Sequence, residues 1–243
     1  RTVLGPVPVE LTGNGHSGTV LYLHGGGYVS GGPVTHRALT SHLAKLADAS
    51  VAVADYRLAP EHPFPAALDD AHRAYLALLE KGHAPERLAV AGDSAGGGLT
   101  LALLQRLRDE GQPLPACALM FSPWVDLTLA ETPRTVPGEA MLNRQWLTFA
   151  AEAYAGNQRD SAGASPLLGN LDGLPPLLIQ TGSDEILAND SERLAEALDG
   201  ADCDARYQRY PGRWHVFQLH AGMLHDADLA LTECRDFLHR HWR

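Results

Sequence analysis

Short apolar runs alternate with longer amphipathic segments along most of this chain. Each apolar run has the length of a β-strand, and each amphipathic segment repeats its apolar positions at helical spacing. The predicted strands are residues 20–23, 51–55, 88–91, 116–121, 177–180 and 205–210. The predicted helices are residues 35–47, 65–81, 97–110, 190–198 and 219–242. This alternation favours a mostly parallel sheet with helices on both faces, and residues 7–11 add a candidate edge strand.

The alternation stops between residues 124 and 166. This stretch is rich in Thr, Pro and Ala, and it then holds one helical pattern at residues 143–154. Because it falls between two predicted core strands, we interpret it as an insertion that helps to cover the active site; a plain surface excursion is the alternative. The chain shows no internal repeat, low-complexity tract or linker, so residues 1–243 are predicted to form a single domain.

The composition is that of a globular domain: of 243 residues, 45% are hydrophobic and 20% are charged, enough for a large buried core. The formal net charge of −10 disfavours nucleic-acid binding, because a phosphate backbone requires a basic surface. No apolar run reaches membrane-spanning length, so no membrane insertion is expected. The scattered cysteines, Cys117, Cys203 and Cys234, lack metal or redox spacing and fit a reduced, cytoplasmic protein.

The pentapeptide Gly92-Asp93-Ser94-Ala95-Gly96 is the first candidate for chemistry. It follows a predicted strand and opens a predicted helix. A G-x-S-x-G sequence in this position is the nucleophile elbow of α/β-hydrolases, in which glycines permit a sharp, strained turn. The turn holds Ser94 at the carboxyl end of the sheet, beside the N–H groups of the helix. On its own, the pattern also fits an ordinary glycine-rich turn.

A second glycine motif, His24-Gly25-Gly26-Gly27, follows the strand predicted at residues 20–23. This H-G-G-G element supplies backbone N–H donors to the oxyanion hole of lipases and esterases. We expect donors from Gly26 and Gly27, and a third from Ala95 directly after the nucleophile. His24 is expected to hold the loop in place. Two motifs in this order, each just after a predicted strand, argue against coincidence.

A serine hydroxyl needs a general base, and the base needs an orienting carboxylate. In this fold the chain order is serine, acid, histidine. Among the twelve histidines, His215 follows the last predicted strand and a Pro-Gly turn, and it precedes the last helix, so it is the predicted base. His220 and His225 are rivals, but they fall inside the helical pattern.

Two adjacent carboxylates compete for the role of the acid. Asp184 and Glu185 both follow the strand predicted at residues 177–180. One would orient the imidazole, while the other would face solvent or cap a helix. Asp190 is a third carboxylate, but its setting is typical of the N-terminal cap of the next helix. The residues themselves leave the choice between Glu185 and Asp184 open.

Small and aromatic residues near the predicted site suggest a modest apolar substrate pocket, although simple core packing explains them equally well. They are Tyr28, Val29, Trp124, Val216 and Phe217.

Four stretches of the chain resemble one protein family. They are H-G-G-G at residues 24–27, D-Y-R-L-A-P-E-H-P-F-P-A-A at 55–67, G-D-S-A-G-G at 92–97 and S-P-W-V-D-L at 122–127. On these stretches the chain is similar to the bacterial hormone-sensitive-lipase-like esterases. The resemblance implies an α/β-hydrolase fold, hydrolysis of short-chain carboxylic esters, and chemistry carried by Ser94 and His215. Glu185-Ile186-Leu187 aligns without a gap with the family's D-P-L pattern, which favours Glu185 over Asp184 despite the usual Asp.

The resemblance also sets expectations at the two ends of the chain. Members usually carry an N-terminal helical cap and another strand before H-G-G-G, whereas 23 residues precede His24 here. We therefore expect the cap to be absent or truncated and the pocket to exclude water less well. Members often dimerise through the last strand, here residues 205–210, so a homodimer through this strand is expected.

The expected reaction is a two-step acyl transfer on a small-molecule ester, with no metal or organic cofactor. His215 takes the proton of Ser94 during attack and later activates the water that releases the acid. A lactonase, an amidase or an acyltransferase would use the same triad, and only the pocket separates these activities. A non-catalytic binding protein on this fold is disfavoured, because the chain keeps a nucleophile, a base and two candidate acids.

Overall fold

The computed structural model describes residues 2–243, in which eight strands form one sheet. In chain order the strands are β1 (Thr2–Leu4), β2 (Val7–Thr12), β3 (Gly18–Leu23), β4 (Ala49–Ala54), β5 (Leu88–Asp93), β6 (Cys117–Phe121), β7 (Leu177–Gly182) and β8 (Ala205–Tyr210). Their spatial order is β1-β2-β4-β3-β5-β6-β7-β8. From β4 to β8 all neighbours run parallel, and β2 and β1 add to the β4 side in antiparallel pairs. The predicted mostly parallel sheet is confirmed.

The edge of the sheet differs from the prediction in one strand. The strand predicted at residues 7–11 is present as β2, but β1 lies outside it. Strand β1 has only three residues, and only Leu4 among them is buried. So short a strand leaves no apolar alternation that a sequence pattern could detect.

Helices cover both faces of the sheet, as predicted. They are α1 (Arg37–Ala47), α2 (Ala66–Glu80), α3 (Ala95–Asp109), α4 (Arg144–Ala155), α5 (Ala188–Asp199) and α6 (His225–His241). Successive strand residues point to opposite faces, so Val20 packs with α1 and α6 while Leu21 packs with α2 and α3. Helix α3 lies deepest, and each buried leucine there contributes about 1.5–3 kcal/mol.

The start of the last helix and the N-terminal cap of α5 were predicted wrongly. The last helix begins at His225 rather than residue 219, because Phe217–His220 forms a separate 3-10 turn. Helix α5 begins at Ala188, so Asp190 lies inside its first turn and is not the N-terminal cap. The Asp190 carboxylate instead accepts the backbone N–H groups of Val125 and Asp126, each at 3.1 Å.

The site is positioned by the carboxyl ends of the central strands. Because β3, β5, β6 and β7 are parallel neighbours, the loops that follow them meet at one edge of the sheet. These loops begin with His24 after β3, Ser94 after β5, Ser122 after β6 and Ser183 after β7. The two glycine motifs and both candidate acids therefore lie on the same side of the molecule, and so does His215 in the loop after β8, which runs parallel to β7.

Candidate active site

Ser94 sits on a strained turn between β5 and α3. Its φ of 52° and ψ of −121° place a non-glycine residue in a region that costs about 1–3 kcal/mol. The neighbouring backbone keeps the turn in place: the Ser94 N–H donates to the Phe121 carbonyl at 2.9 Å, and the Ser94 carbonyl accepts from Trp124 at 2.9 Å. Gly96 is required by close approach, since a Cβ there would lie 1.9 Å from the Leu23 carbonyl oxygen.

Glu185 and His215 form a buried pair next to this turn. The Glu185 Oε2 and His215 Nδ1 atoms lie 2.5 Å apart. The other carboxylate oxygen accepts three hydrogen bonds, from the Thr181 hydroxyl at 2.6 Å, the Ser122 hydroxyl at 2.7 Å and the Gly182 N–H at 2.7 Å. Both oxygens of this buried carboxylate are thus hydrogen-bonded.

The electrostatics favour an ionised Glu185. Burial alone would raise the pKa of this carboxyl group, but His215 and the hydroxyl donors outweigh burial and hold the pKa below its ordinary value. A carboxylate here orients the imidazole, with Nδ1–H toward Glu185 and Nε2 left for proton transfer.

Asp184 is placed away from the imidazole. Its carboxylate accepts the Ser183 hydroxyl at 2.6 Å and lies against Gly138. Between the two acids that the sequence left open, the structure puts Glu185 in position to orient His215. The two rival histidines point elsewhere: His220 packs edge-on against Trp214 at 5.3 Å, and His225 is exposed at the start of α6.

Ser94 and His215 border one cavity of about 270 Å³. Within residues 2–243 the Ser94 hydroxyl and His215 Nε2 are not joined by a hydrogen bond. Catalytic hydrogen bonds of this kind often tighten only when substrate is bound. The arrangement therefore contains a nucleophile and an oriented base that face the same space.

The H-G-G-G loop lines the same cavity through Gly25 and Gly26. Gly26 and Gly27 have φ angles of 121° and 63°, and the Gly26 carbonyl turns away to accept from Val29 and Ser30. In the described part of the chain, no protein acceptor takes the N–H of either glycine. Ala95 opens α3, so its N–H is one of the first helical donors without an intrahelical partner. These three groups are the predicted oxyanion donors.

The His24 side chain is completely buried beneath the H-G-G-G loop. Its Nδ1 atom is 2.7 Å from the Gly25 carbonyl, and its ring stacks on Tyr56 at 4.2 Å. The Tyr56 hydroxyl in turn donates to the His24 carbonyl at 2.6 Å. Burial lowers the pKa of His24 to about 4, so the ring is neutral near pH 7. These contacts fit the expected role in holding the loop.

The cavity wall corrects the predicted pocket. Of the five residues proposed from sequence, only Val216 lines the cavity. Tyr28 stacks on Tyr154 at 3.8 Å, Trp124 is fully buried, Phe217 packs on Tyr210 at 4.9 Å, and Val29 packs against the core. Core packing, the alternative reading, explains these four.

The apolar wall comes instead from three other segments. The apolar lining residues that sequence reasoning missed are Met141, Leu142, Trp146 and Leu219. Three of them lie in the stretch 124–166 that breaks the strand–helix alternation, and that irregularity was the available signal. Trp146 also packs on the oxyanion loop, since a Cβ on Gly27 would lie 2.4 Å from its ring.

Neither a metal-binding cluster nor a membrane-spanning helix is found among the described residues. Residues 2–243 contain no cluster of three or more His, Cys, Asp or Glu side chains that could hold a metal ion. Over the same residues, the helices include none with the length and apolar character needed to cross a membrane.

Comparison with known proteins points to one fold family. Residues 20–219 match a family described as the alpha/beta hydrolase fold. An acetyl-hydrolase of Streptomyces hygroscopicus is 44% identical over 90% of this chain and 75% of its own length. An esterase of Acinetobacter venetianus is 38% identical over 90% of this chain and 73% of its own length. A crystal structure of an esterase from the bacterial hormone-sensitive lipase (HSL) family gives a TM-score of 0.92 at 38% identity, over 100% of this chain and 84% of that one.

Proposed function

Because this chain belongs to the α/β-hydrolase family, in its hormone-sensitive-lipase-like group of ester hydrolases, we propose that it is a serine carboxylesterase acting on short-chain esters through a Ser94–Glu185–His215 triad. The observation that carries this proposal is the Glu185–His215 contact of 2.5 Å beside a cavity that Ser94 also borders. This contact provides an oriented base at the position where an activated serine needs one.

The reaction follows from the placement of these groups. His215 Nε2 accepts the Ser94 proton as the hydroxyl oxygen bonds to the ester carbonyl carbon, and the carbonyl oxygen becomes an oxyanion. The N–H groups of Gly26, Gly27 and Ala95 donate to that oxyanion. The alcohol then leaves with the proton from His215, which gives an acyl-Ser94. Water, deprotonated by the same imidazole, attacks the acyl carbon and releases the carboxylic acid and free Ser94.

The cavity supports a short acyl chain. Its volume of about 270 Å³ is below the range of roughly 300–1,000 Å³ that drug-sized ligands occupy. Its apolar wall includes Leu142, Trp146 and Val216. Because part of this wall comes from residues 124–166, we propose that the insertion covers the acyl side of the site.

Hydrolysis of a p-nitrophenyl acyl series tests the proposal. The wild type should be fastest on acetyl to hexanoyl esters and slower on decanoyl and longer esters. Ser94→Ala should abolish this turnover, while Ser41→Ala, which removes an exposed hydroxyl on α1, should leave it unchanged. Equal rates on long-chain triglyceride emulsions would contradict the short-chain proposal, and a folded wild type without turnover on any ester would contradict the esterase.

We also propose that the chain forms a homodimer through β8. In residues 2–243, β8 pairs only with β7 and leaves its outer edge without a strand partner. The arginines on this strand are neutralised within the chain, by Arg206–Glu233 and Arg209–Glu192 contacts of 2.8 Å each. Sedimentation at micromolar concentration should give the mass of two chains, and a monomer mass would contradict the dimer.

A further inference from the structure

A second buried carboxylate lies directly beside the nucleophile and has no part in the triad. Asp93 precedes Ser94, and its side chain is buried. The carboxylate accepts the Tyr22 hydroxyl at 2.8 Å and the Gly25 N–H at 3.0 Å, and it lies 3.1 Å from His36 Nε2. It therefore connects the nucleophile turn to the H-G-G-G loop.

The contact between Asp93 and Gly25 is too close for independent movement. A Cβ on Gly25 would lie 2.2 Å from an Asp93 carboxylate oxygen. Gly25 is also the residue before the expected oxyanion donor Gly26, and both line the cavity. A shift of the Asp93 carboxylate would accordingly shift the backbone that meets the oxyanion.

His36 holds this carboxylate and the far end of the same loop. Its Nε2 atom faces Asp93, while its Nδ1 atom lies 2.8 Å from the Thr35 hydroxyl and 3.3 Å from the Gly32 carbonyl. An imidazolium donates from both nitrogens, whereas a neutral imidazole donates from one. Only the charged ring can donate to Asp93 and Gly32 together.

The surroundings favour the charged pair. Burial lowers the pKa of His36, but the Asp93 carboxylate outweighs burial and raises it. Asp93 in turn keeps a pKa below its ordinary value, because His36 and Tyr22 outweigh its own burial. The other titratable rings that face His36 are Tyr22, with centroids 6.0 Å apart, and His24, at 5.7 Å. Arg37, next along the chain, is paired with Glu10.

We propose that the Asp93–His36 ion pair positions the oxyanion-hole backbone, so that both residues are positioning residues for acyl transfer. This inference rests on the proposed esterase function. As pH rises through the raised pKa of His36, the ring loses its charge and one of its two donated hydrogen bonds, to Asp93 or to the Gly32 carbonyl, and the donors to the oxyanion move. The effect falls on the transition state, since the oxyanion exists only there.

Kinetics of four variants test the positioning role. His36→Ala should lower kcat by about 10- to 100-fold, the cost of a small misplacement of catalytic groups, and change KM by less than about twofold. Asp93→Asn should fall in the same range. His36→Gln keeps one donor group but carries no charge, so it should recover only part of kcat and should lack the wild-type decline as pH rises through the pKa of His36. His225→Gln, at an exposed histidine, should match the wild type. A His36→Ala enzyme with unchanged kcat, or with only a raised KM, would overturn the proposal.

A second measurement needs no turnover. In folded Ser94→Ala protein, the backbone amide ¹⁵N signals of Gly25 and Gly26 should follow a single titration as pH rises through the raised pKa of His36. Adding His36→Gln should remove that titration, while adding His225→Gln should preserve it. If the titration of the Gly25 and Gly26 signals is unchanged by His36→Gln, or is absent, the positioning role is overturned even if the enzyme is an esterase. Wild-type protein without esterase activity would instead contradict the proposed function, and the glycine signals would still decide the role of the pair.

Discussion

The active-site edge of the sheet contains two buried carboxylate–histidine pairs. They differ in what the second imidazole nitrogen, the one that does not face the carboxylate, contacts. On the acid side, Glu185 holds His215 at 2.5 Å; on the oxyanion side, Asp93 holds His36 at 3.1 Å. His215 lines the cavity, and within residues 2–243 its Nε2 atom has no hydrogen-bond partner, whereas the second nitrogen of His36 is engaged by Thr35 and Gly32. The same chemical pair therefore suits proton transfer in one place and support of the backbone in the other.

The two pairs also differ in what surrounds the carboxylate. The second oxygen of Glu185 is held by the hydroxyls of Ser122 and Thr181 and by one N–H, all of which fix the acid. Asp93 accepts an N–H from the oxyanion loop itself. The neighbours of a buried carboxylate, rather than its partner histidine, thus determine which part of the site it controls.

The largest effect is expected on the acid side. Glu185→Gln keeps the shape of the side chain but removes the charge that orients and stabilises His215, and kcat should fall by about 10⁴-fold. Asp184→Asn, at the adjacent carboxylate, should stay within about twofold of the wild type. Steady-state kinetics on p-nitrophenyl butyrate measure both. Equal losses of kcat in the two variants would contradict the assignment of Glu185, rather than Asp184, as the acid of the triad.

A smaller loss is expected at Ser122, which connects Glu185 to the backbone after His215. Its hydroxyl donates to Glu185 at 2.7 Å and accepts the Val216 N–H at 3.1 Å. Ser122→Ala leaves that buried N–H unpaired, at about 1–3 kcal/mol in unfolding free energy, and should lower kcat by about 10- to 100-fold through misplacement of the imidazole. Ser183→Ala is the matched control in the next loop. Wild-type kcat in Ser122→Ala would show that Thr181 and Gly182 are enough to hold Glu185 in place.

Trp146 sharpens the comparison on the oxyanion side, because it walls the cavity and packs against Gly27. Trp146→Ala should open the wall and raise the ratio of decanoyl to butyryl hydrolysis by about tenfold. A methylene group gained or lost in an apolar pocket changes the rate by a factor of this order. Phe149→Ala removes an exposed aromatic ring from the same helix and should leave the ratio unchanged. An unchanged ratio in Trp146→Ala would assign the chain-length limit to another residue.

The smallest effect is a difference in the pH dependence of stability. The pKa of Glu185 is lowered in the folded chain, so its contribution is present above the unfolded pKa and is lost as pH falls through the folded pKa. The pKa of His36 is raised, so its contribution is present below the unfolded pKa and is lost as pH rises through the folded pKa.

Urea unfolding across pH therefore separates the two pairs. The stability difference between wild type and Glu185→Gln should narrow on acidification, and the difference between wild type and His36→Gln should narrow on alkalinisation. The change is on the order of 1 kcal/mol for each unit of pKa shift. Both differences narrowing in the same direction would contradict the charge states assigned to the pairs.

Sequence patterns predicted the parallel core because strands buried on both faces leave continuous apolar runs. They missed β1, which is too short to leave a pattern, and they extended the last helix through Phe217–His220, where the apolar spacing continues but the backbone turns. Local spacing records which residues are apolar; it does not record where a chain turns to reach its neighbour.

At the site, motifs with a fixed order along the chain were enough to nominate Ser94, His215 and the loop glycines. The same motifs did not identify the residues that line the cavity, because closeness to a motif in sequence says little about where a side chain points. Tyr28 and Trp124 adjoin the motifs but point into the core, whereas Trp146 reaches the cavity from a separate helix. The Asp93–His36 pair lay hidden for the same reason, since 57 positions separate its members.

The most direct test of the acyl-transfer chemistry is to quench the enzyme in acid during turnover of p-nitrophenyl acetate and to locate the acyl group by peptide mass spectrometry. The acetyl group should be found on Ser94 in the wild type and should be absent from Ser94→Ala. His36→Gln should still acylate Ser94, while Glu185→Gln should accumulate the acyl-enzyme far more slowly. An acetyl group on another residue, or rapid hydrolysis by Ser94→Ala, would contradict the assignment of Ser94 as the nucleophile.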